Sequence, residues 1–473
     1  MLGLFGTLNL ASRSLQTQMT GVEVTGQNLA NANTSGYSRQ TVQISASPDV
    51  MTSIGPEGTG ATATSIKQIV SNLLYAQIQT QGATSGYWTS QQTALQSAQD
   101  ALGEFLNGSG STSSTASTTT DTTGSGLSTQ LTDFFSAFST VASSGSDANK
   151  QAAIGAAQDL ATTFNNIDTQ FKNVNASLNS SLSDNVDSAN KLLSDIASLN
   201  KTINTAEFSG GNANTLRDER EQDLENLSQL TNITTSTGTD GAVNVTVSGQ
   251  TLVSGSSVSD TLQTYDSGNG NLLVRTATGG VNLTLTGGSM QGTIDARDGT
   301  LAKMQSGVNL LAQTLISQVN TLNDSGYNSS GGAGATLFTG TGSADIGVNS
   351  ALTNNASLLQ ISDSATDSGN TSIALQISQL TSTTQAALSN QTFTGSYSAT
   401  VAGLGQALDN ANTEVTNQTA VSNMLSTQRG SVSGVNVDEE MTNLLTFQRA
   451  YQASAQVVTT VNTLLGDTLG IKS

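Results

Sequence analysis

The sequence predicts a mainly α-helical protein, a long coiled-coil-like helical bundle rod that carries an inserted small all-β domain. Over most of the chain, apolar residues recur at intervals of three and four, which is the spacing of amphipathic helices. Between Thr231 and Gly292 the apolar period changes to two, as in Val243, Val245 and Val247, which is typical of strands. Both chain ends carry a seven-residue apolar repeat, the pattern of a coiled coil.

The composition excludes several classes of function. Charged residues make up 10% of the 473 residues and the net charge is −19, so nucleic acid and anionic membrane surfaces are poor partners. No apolar run approaches the roughly 20 residues of a membrane span. Cys and His are both absent, which excludes disulfides, thiol chemistry and the commonest general base. With no nucleophile–base set visible, the sequence predicts a protein that is not an enzyme and has no catalytic residues, cofactor or metal site.

The chain opens with a helix whose apolar residues recur every seven positions: Leu8, Leu15, Val22 and Leu29. Only Arg13 and Glu23 are charged before Arg39. Because Arg13 is the first basic residue and no compact apolar segment follows it, the N-terminus is not an ordinary signal peptide. Dense Asn and Gly over residues 26–40 predict the helix end and a turn, and Thr41–Ile44 alternate as a short strand.

The middle of the chain predicts a rod of long helices. A helical pattern returns at Ile66 and runs to Leu106, and residues 108–126, almost wholly Ser, Thr and Gly, predict a flexible loop. Leu160–Ile203 forms one helix of about 66 Å at 1.5 Å per residue, with a stutter near Leu178–Val186. The charged run 218–221 is interpreted as a solvated helix face.

The last helix repeats the pattern of the first, with apolar residues every seven positions: Val437, Leu444, Tyr451, Val458 and Leu465. Asp438, Glu439 and Glu440 fall in its first turn, where the helix dipole favours acids. The predicted division assigns 1–35 and 436–473 to terminal assembly helices, 36–230 and 293–435 to a central helical rod domain, and 231–292 to a β-rich insertion domain.

Two interpretations of the terminal repeats remain open. In the first interpretation, the two terminal helices belong to an ordinary bundle, since most amphipathic helices cover a core. Alternatively they are an assembly seam between copies, because chain ends are usually loose unless they dock. The name assembly seam is used below for the nine repeat residues: Leu8, Leu15, Val22, Leu29, Val437, Leu444, Tyr451, Val458 and Leu465.

Five separated motifs resemble those of the axial proteins of the bacterial flagellum, and among these the hook-associated protein 1 family. The turn motif runs from Asn28 to Tyr37, with Ser35 where the family usually has Pro, and Ser38-Arg39-Gln40 follows it. The other matching segments are Asp133-Phe134-Phe135, Leu216-Arg217-Asp218-Glu219-Arg220, Ser433 to Glu440, and Phe447-Gln448-Arg449-Ala450-Tyr451. The residues singled out in the family turn motif are Asn28, Asn31, Asn33, Gly36, Tyr37 and Arg39.

The resemblance implies a structural adaptor that joins the hook to the filament through a polymerised junction ring. It also implies terminal helices that order on assembly, self-association into a ring or tube, and contacts with hook protein and the next hook-associated junction protein. An export chaperone at the C-terminal region and passage through the flagellar type III pathway, without a cleaved signal peptide, are implied as well. The expected location is the extracellular flagellum.

Two alternatives remain open from the sequence. One is another flagellar axial protein, such as hook protein. The other belongs to a different class: a secreted adhesin that uses the β insertion.

Overall fold

The computed structural model describes residues 3–52, 55–102, 126–208, 210–367 and 369–470. The prediction of a mainly α fold with a small β insertion is confirmed. The chain begins with helix α1 (Leu4–Ala30) and continues with the strands β1 (Gln40–Ala46), β2 (Val50–Thr52), β3 (Gly55–Glu57) and β4 (Ala61–Gln68). None of the described helices has the length and apolar character to cross a membrane.

The first hairpin differs from the sequence prediction at its second strand. β1 pairs antiparallel with β4, so that Val42 lies opposite Ile66. Ile66 therefore belongs to a strand, and helix α2 (Asn72–Leu102) begins six residues later than predicted. The apolar spacing around Ile66 resembles a helix, but the unpaired backbone of β1 supplies a partner and tertiary pairing overrides the local pattern. Within the predicted loop, residues 108–125 lie outside the described residues, as does the predicted end of the helix at Leu106.

Long helices then form the central body. They are α3 (Leu127–Ser143), α4 (Asp147–Phe208) and α5 (Asn214–Leu230). With 62 residues, α4 is about 93 Å long. Leu178 packs in one core with α3 and α7, whereas Leu182 packs in a second core with the β strands. The predicted stutter therefore lies where α4 changes its packing partner.

The β insertion follows α5. A four-stranded antiparallel sheet contains β5 (Ile233–Thr237), β6 (Val243–Val247), β7 (Gln250–Ser254) and β8 (Ser257–Val258), and a hairpin contains β9 (Leu262–Asp266) and β10 (Leu272–Thr276). Helix α6 (Gly288–Asp295) starts inside the predicted 231–292 range, so the last residues of that range are helical. One π-helical turn (Ala296–Leu301) leads into α7 (Ala302–Asp324).

The remaining segments complete the helical bundle and the chain end. They are β11 (Phe338–Thr339), β12 (Gly347–Val348), α8 (Ser350–Asn354), α9 (Ser372–Gln379), α10 (Phe393–Ser433) and α11 (Val437–Gly470). Short 3₁₀ turns occur at Ala356–Leu358 and Ala386–Leu388. Phe338, Ile361 and Ile377 of this region are buried in the bundle core.

Asparagine side chains of α4 attach the β insertion to the long helix. Asn190 donates Nδ2 to the Leu262 carbonyl at 2.8 Å and accepts the Leu262 N–H at 2.8 Å. Asn200 bonds in the same way to the carbonyl and N–H of Val243, at 2.8 and 3.1 Å. Each amide thus occupies the place of a neighbouring strand and satisfies backbone groups that water would otherwise have to solvate.

We expect Asn190→Leu to lower the free energy of unfolding by about 1–3 kcal/mol, because the N–H and C=O of Leu262 both lose their partner. Chemical denaturation would measure the change. The matched control is Asn204→Leu, since Asn204 bonds only to the exposed Asp240 side chain and water can replace that bond. Equal losses in both variants would contradict the assigned role of Asn190.

Candidate functional site

The two ends of the chain pack side by side as an antiparallel pair, α1 against α11, called the terminal pair below. Three contacts fix its register, and each lies seven residues from the next on both helices: Ser14 with Ser454 (Oγ to Oγ, 2.8 Å), Gly21 with Phe447, and Asn28 with Glu440 (Nδ2 to Oε2, 3.0 Å). The contacts between the two helices therefore recur every seven residues, but they are made by residues outside the predicted apolar repeat, and on the α1 side these residues are small or polar.

Gly21 permits the close approach of the two helices. A Cβ placed there would lie 2.6 Å from the ring of Phe447, which is far inside van der Waals contact. The aromatic ring therefore packs directly on the α1 backbone. Larger residues at position 21 would push α11 away.

The assembly seam lies beside these contacts and keeps much of its surface exposed. Leu8, Leu15, Val22 and Leu29 are half-buried, and the last three each lie one position along the helix from a residue that touches α11. On α11, Val437 is 47% exposed and Tyr451 is 40% exposed, while Leu444, Val458 and Leu465 are half-buried. Other large apolar side chains of the terminal pair are exposed as well: Phe5, Met19, Met441, Leu445, Val457 and Leu464.

Asn28, the first residue of the turn motif, is a buried hydrogen-bond centre. Its Nδ2 donates to the Gln40 carbonyl at 2.8 Å and to Glu440 at 3.0 Å. Its Oδ1 accepts the Tyr37 hydroxyl at 2.8 Å and the Gln40 N–H at 3.0 Å. Both donor hydrogens and both acceptor positions of the amide are thus used, which no other side chain of this size could reproduce.

Arg39 joins the same centre through an ion pair with the C-terminal helix. Its Nε donates to Glu440 Oε1 at 2.8 Å, and its guanidinium lies 3.1 Å from Glu439. Glu440 is only 2% exposed, and the Arg39 N–H donates to the Ser433 carbonyl at 2.8 Å. The acids at the start of α11 therefore do more than complement the helix dipole, because two of them hold Arg39.

The rest of the turn motif shapes the backbone. Asn31 caps α1, and its Nδ2 donates to the Gln27 carbonyl at 3.0 Å. Gly36 has φ +81°, a left-handed conformation in which a side chain is strained. Asn33 is exposed on the turn. The structure thus brings Asn28, Tyr37 and Arg39 together, whereas Asn31, Asn33 and Gly36 stay outside the buried centre.

Helix α5 attaches this turn to the central body. Asp218 accepts the Ser38 N–H at 3.0 Å and the Gln68 amide at 2.8 Å. Asp218 is 8% exposed and Arg220 is 6% exposed, so the interpretation of this charged run as a solvated face was wrong for these two residues. The charge pattern alone could not reveal that the hairpin and α4 cover this side of α5.

A cavity of about 230 Å³ lies between the turn, α5 and the end of α10. Tyr37, Tyr75, Glu221 and Arg429 are among its lining residues. Burial raises the pKa of Glu221 to about 7. The Gln79 amide donates to the Glu221 carboxylate at 2.8 Å, and this hydrogen bond lowers the pKa by less than burial raises it. Burial also raises the pKa of Tyr37 to about 12. The described residues of the chain contain no group of three His, Cys, Asp or Glu that could hold a metal ion.

The comparisons with known proteins agree with one another. Residues 112–338 match the flagellar hook-associated protein FlgK helical domain, and residues 428–471 match the flagellar basal body rod FlgEFG protein C-terminal domain. Flagellar hook-associated protein 1 of Bacillus subtilis (strain 168) is 26% identical over 517 residues, covering 98% of each chain. The Escherichia coli (strain K12) protein of that name is 23% identical, covering 98% of this chain and 99% of its own.

A solved structure shows the same fold. It is the flagellar hook junction protein FlgK from Burkholderia pseudomallei, with a TM-score of 0.62 and 19% identity. The match covers 77% of this chain and all of that one.

We expect Arg39→Gln to loosen the terminal pair from the central body. Glu440 would keep a buried negative charge without its cation, and breaking a buried pair costs about 3–5 kcal/mol. Amide hydrogen exchange should accelerate in the first turns of α11 while α3 stays protected. The control is Arg13→Gln, an exposed arginine of the same helix pair. Unchanged exchange in α11 would count against a structural role for the ion pair.

A second expectation concerns pH. Because the folded chain holds the proton of Glu221 more tightly than the unfolded chain, ionisation of this group lowers the free energy of unfolding as pH rises from its usual pKa of 4.5 to about 7. Glu221→Gln should therefore be more stable than the unchanged chain by about 1–3 kcal/mol near pH 8 and nearly equal near pH 4.

Denaturation at both pH values would measure this difference. The control is Glu219→Gln, on the exposed side of the same helix. A pH-independent difference for Glu221→Gln would contradict the assignment of the raised pKa to burial.

Proposed function

Since this chain belongs to the flagellar hook-associated protein 1 family, we propose that it is a structural adaptor of the bacterial flagellum that joins the hook to the filament. The relatives that carry this name cover almost the whole chain, including the β insertion. The two alternatives, another axial protein such as hook protein or a secreted adhesin, are therefore not favoured.

Assembly would proceed through the terminal pair, and one observation carries this part of the proposal. The assembly seam and its neighbours leave many large apolar side chains half-buried or exposed on two long helices. Monomeric proteins rarely expose apolar surface of this kind unless it meets a partner. Neighbouring copies would cover it, giving the ring or tube that joins hook protein to the next hook-associated junction protein.

The scarcity of charge on the terminal pair supports the same proposal. Helix α11 has no charged residue between Arg449 and Asp467. Helices of this kind pack side by side without burying unpaired charges. Terminal helices that order fully only when neighbours supply the missing apolar surface would follow as coupled folding and assembly.

Export is the least direct part of the proposal. The chain would leave the cell by the flagellar type III pathway, escorted by a chaperone at its C-terminal region, and act in the extracellular flagellum. The absence of Cys is compatible with a route from a reducing to an oxidising compartment. The loosely covered α11 offers the apolar surface that such a chaperone would bind.

We expect the double variant Leu444→Asp, Val458→Asp to abolish assembly while the central body stays folded. Both side chains lie on the half-buried assembly seam and belong to neither hydrophobic core. Carboxylates there would be desolvated by a neighbouring copy, at a cost of several kcal/mol each. Sedimentation velocity and electron microscopy of the concentrated chain would measure assembly, and limited proteolysis would check the core.

A matched control carries the same two added charges elsewhere. Asn417→Asp with Thr427→Asp places them on exposed positions of α10, and should leave assembly unchanged. Normal assembly of the Leu444→Asp, Val458→Asp variant would contradict the proposed mechanism of assembly.

A further inference from the structure

The terminal pair has two outer faces that point away from each other. Glu23 lies two residues beyond Gly21, which abuts α11, so it points about 200° away from the contact at 100° per residue. Arg449 lies two residues beyond Phe447, which abuts α1, and by the same geometry points away from α1. Both side chains are exposed. We call these the outer α1 face and the outer α11 face.

These two residues are rare charges on a nearly uncharged surface. Helix α1 contains only Arg13 and Glu23 as charged residues, and between the acids at its start and Asp467 the helix α11 contains only Arg449. Within the described ranges, neither Glu23 nor Arg449 forms an ion pair with another side chain. Apolar neighbours accompany them: Met19 is 53% exposed on the outer α1 face and Leu445 is 51% exposed on the outer α11 face.

The register of the pair places the two charges at similar heights. Because Gly21 lies beside Phe447 and the helices are antiparallel, Glu23 is level with Leu445. Arg449 is four residues along α11 from Leu445, about 6 Å at 1.5 Å per residue. A carboxylate and a guanidinium side chain can bridge an offset of this size, and a small axial step between copies removes it.

We infer that a second copy of this chain docks head to tail, its outer α11 face against the outer α1 face of the first, with an ion pair between Glu23 and the partner's Arg449. The inference rests on the proposed function and adds a contact between the outer faces, which lie apart from the assembly seam. Met19 and Leu445 flank the ion pair and exclude water from it. Every copy keeps one free face of each kind, and a contact between unlike faces continues into a ring or a helical tube.

The charge pattern also selects the orientation. Two outer α1 faces would bring Glu23 against Glu23, and two outer α11 faces would bring Arg449 against Arg449. Repulsion between like charges disfavours both arrangements, while opposite charges favour the unlike faces. The ion pair therefore supplies direction, and the apolar residues supply the bulk of the contact.

Disulfide cross-linking tests this arrangement. Because the chain has no Cys of its own, any disulfide must join the introduced Cys residues. One preparation carries Glu23→Cys, another carries Arg449→Cys, and the two are mixed in assembling conditions with a mild oxidant. We expect disulfide-linked dimers in the mixture and few in either preparation alone. Symmetric dimers in the separate preparations, or assembly without any cross-link in the mixture, would overturn the inference.

Charge reversal gives a second test, in a chain that carries no introduced Cys, and its readout is the concentration needed for assembly. Glu23→Arg alone and Arg449→Glu alone should each raise the concentration needed for assembly by about 5- to 10-fold, because each reversal removes the attraction of one exposed charge pair and adds a repulsion of similar size. The double exchange should bring that concentration back to within about 3-fold of the original. The control is Lys303→Glu, an exposed charge reversal away from the terminal pair.

The two proposals fail differently. If the single reversals have no effect while Leu444→Asp with Val458→Asp still abolishes assembly, the ion pair is wrong and the assembly seam stands. If the unchanged chain never assembles at any concentration, the proposed mechanism fails as a whole. Reversals that weaken assembly without rescue by the double exchange would also contradict the direct pairing of Glu23 with Arg449.

Discussion

The structure depends on one buried polar contact that holds the two ends of the chain together. Asn28, Arg39 and Glu440 come from opposite ends of 473 residues, and they meet at distances between 2.8 and 3.0 Å with almost no exposure of Asn28 and Glu440. Charges buried in this way are tolerated only when paired and hydrogen-bonded, so the geometry has little freedom. Through Ser38 and Asp218 the same centre reaches the central body. The attachment of the terminal pair to the central body therefore depends on this contact.

Elsewhere, side-chain amides join secondary-structure elements that apolar packing would join in a core with more large apolar side chains. Asn190 and Asn200 clamp the β insertion to α4, and Asn320 bonds to both backbone groups of Phe338 in the same way, at 2.8 and 2.9 Å. Asn28 repeats the pattern with Gln40. Helices and strand edges are joined here by amides that copy the backbone hydrogen-bond pattern. In a chain with 4% aromatic residues, this device gives positional specificity without large side chains.

The terminal pair is held firmly at one end and covered only in part along its length. Its closest contacts use Ser14 and Gly21, which bring the helices near each other without burying the larger apolar residues beside them. This arrangement leaves apolar surface for neighbouring copies and leaves few charges to direct them. In the inferred contact between copies, Glu23 and Arg449 supply the direction, because the two helices carry few other charges.

By itself, the sequence determined the mainly α fold, the long helices and the place of the β insertion, because these follow from local periodicity and turn chemistry. It also singled out the turn motif, of which Asn28, Tyr37 and Arg39 meet in the structure. Only the tertiary structure decided that Ile66 belongs to a strand, that Asp218 and Glu440 are buried, and which column of each terminal helix touches the other. Periodicity tells which side of a helix is apolar, but a shift of one residue turns the face by about 100°. Which residue makes the contact depends on partners that lie hundreds of positions away in the sequence. No local pattern contains information about such partners.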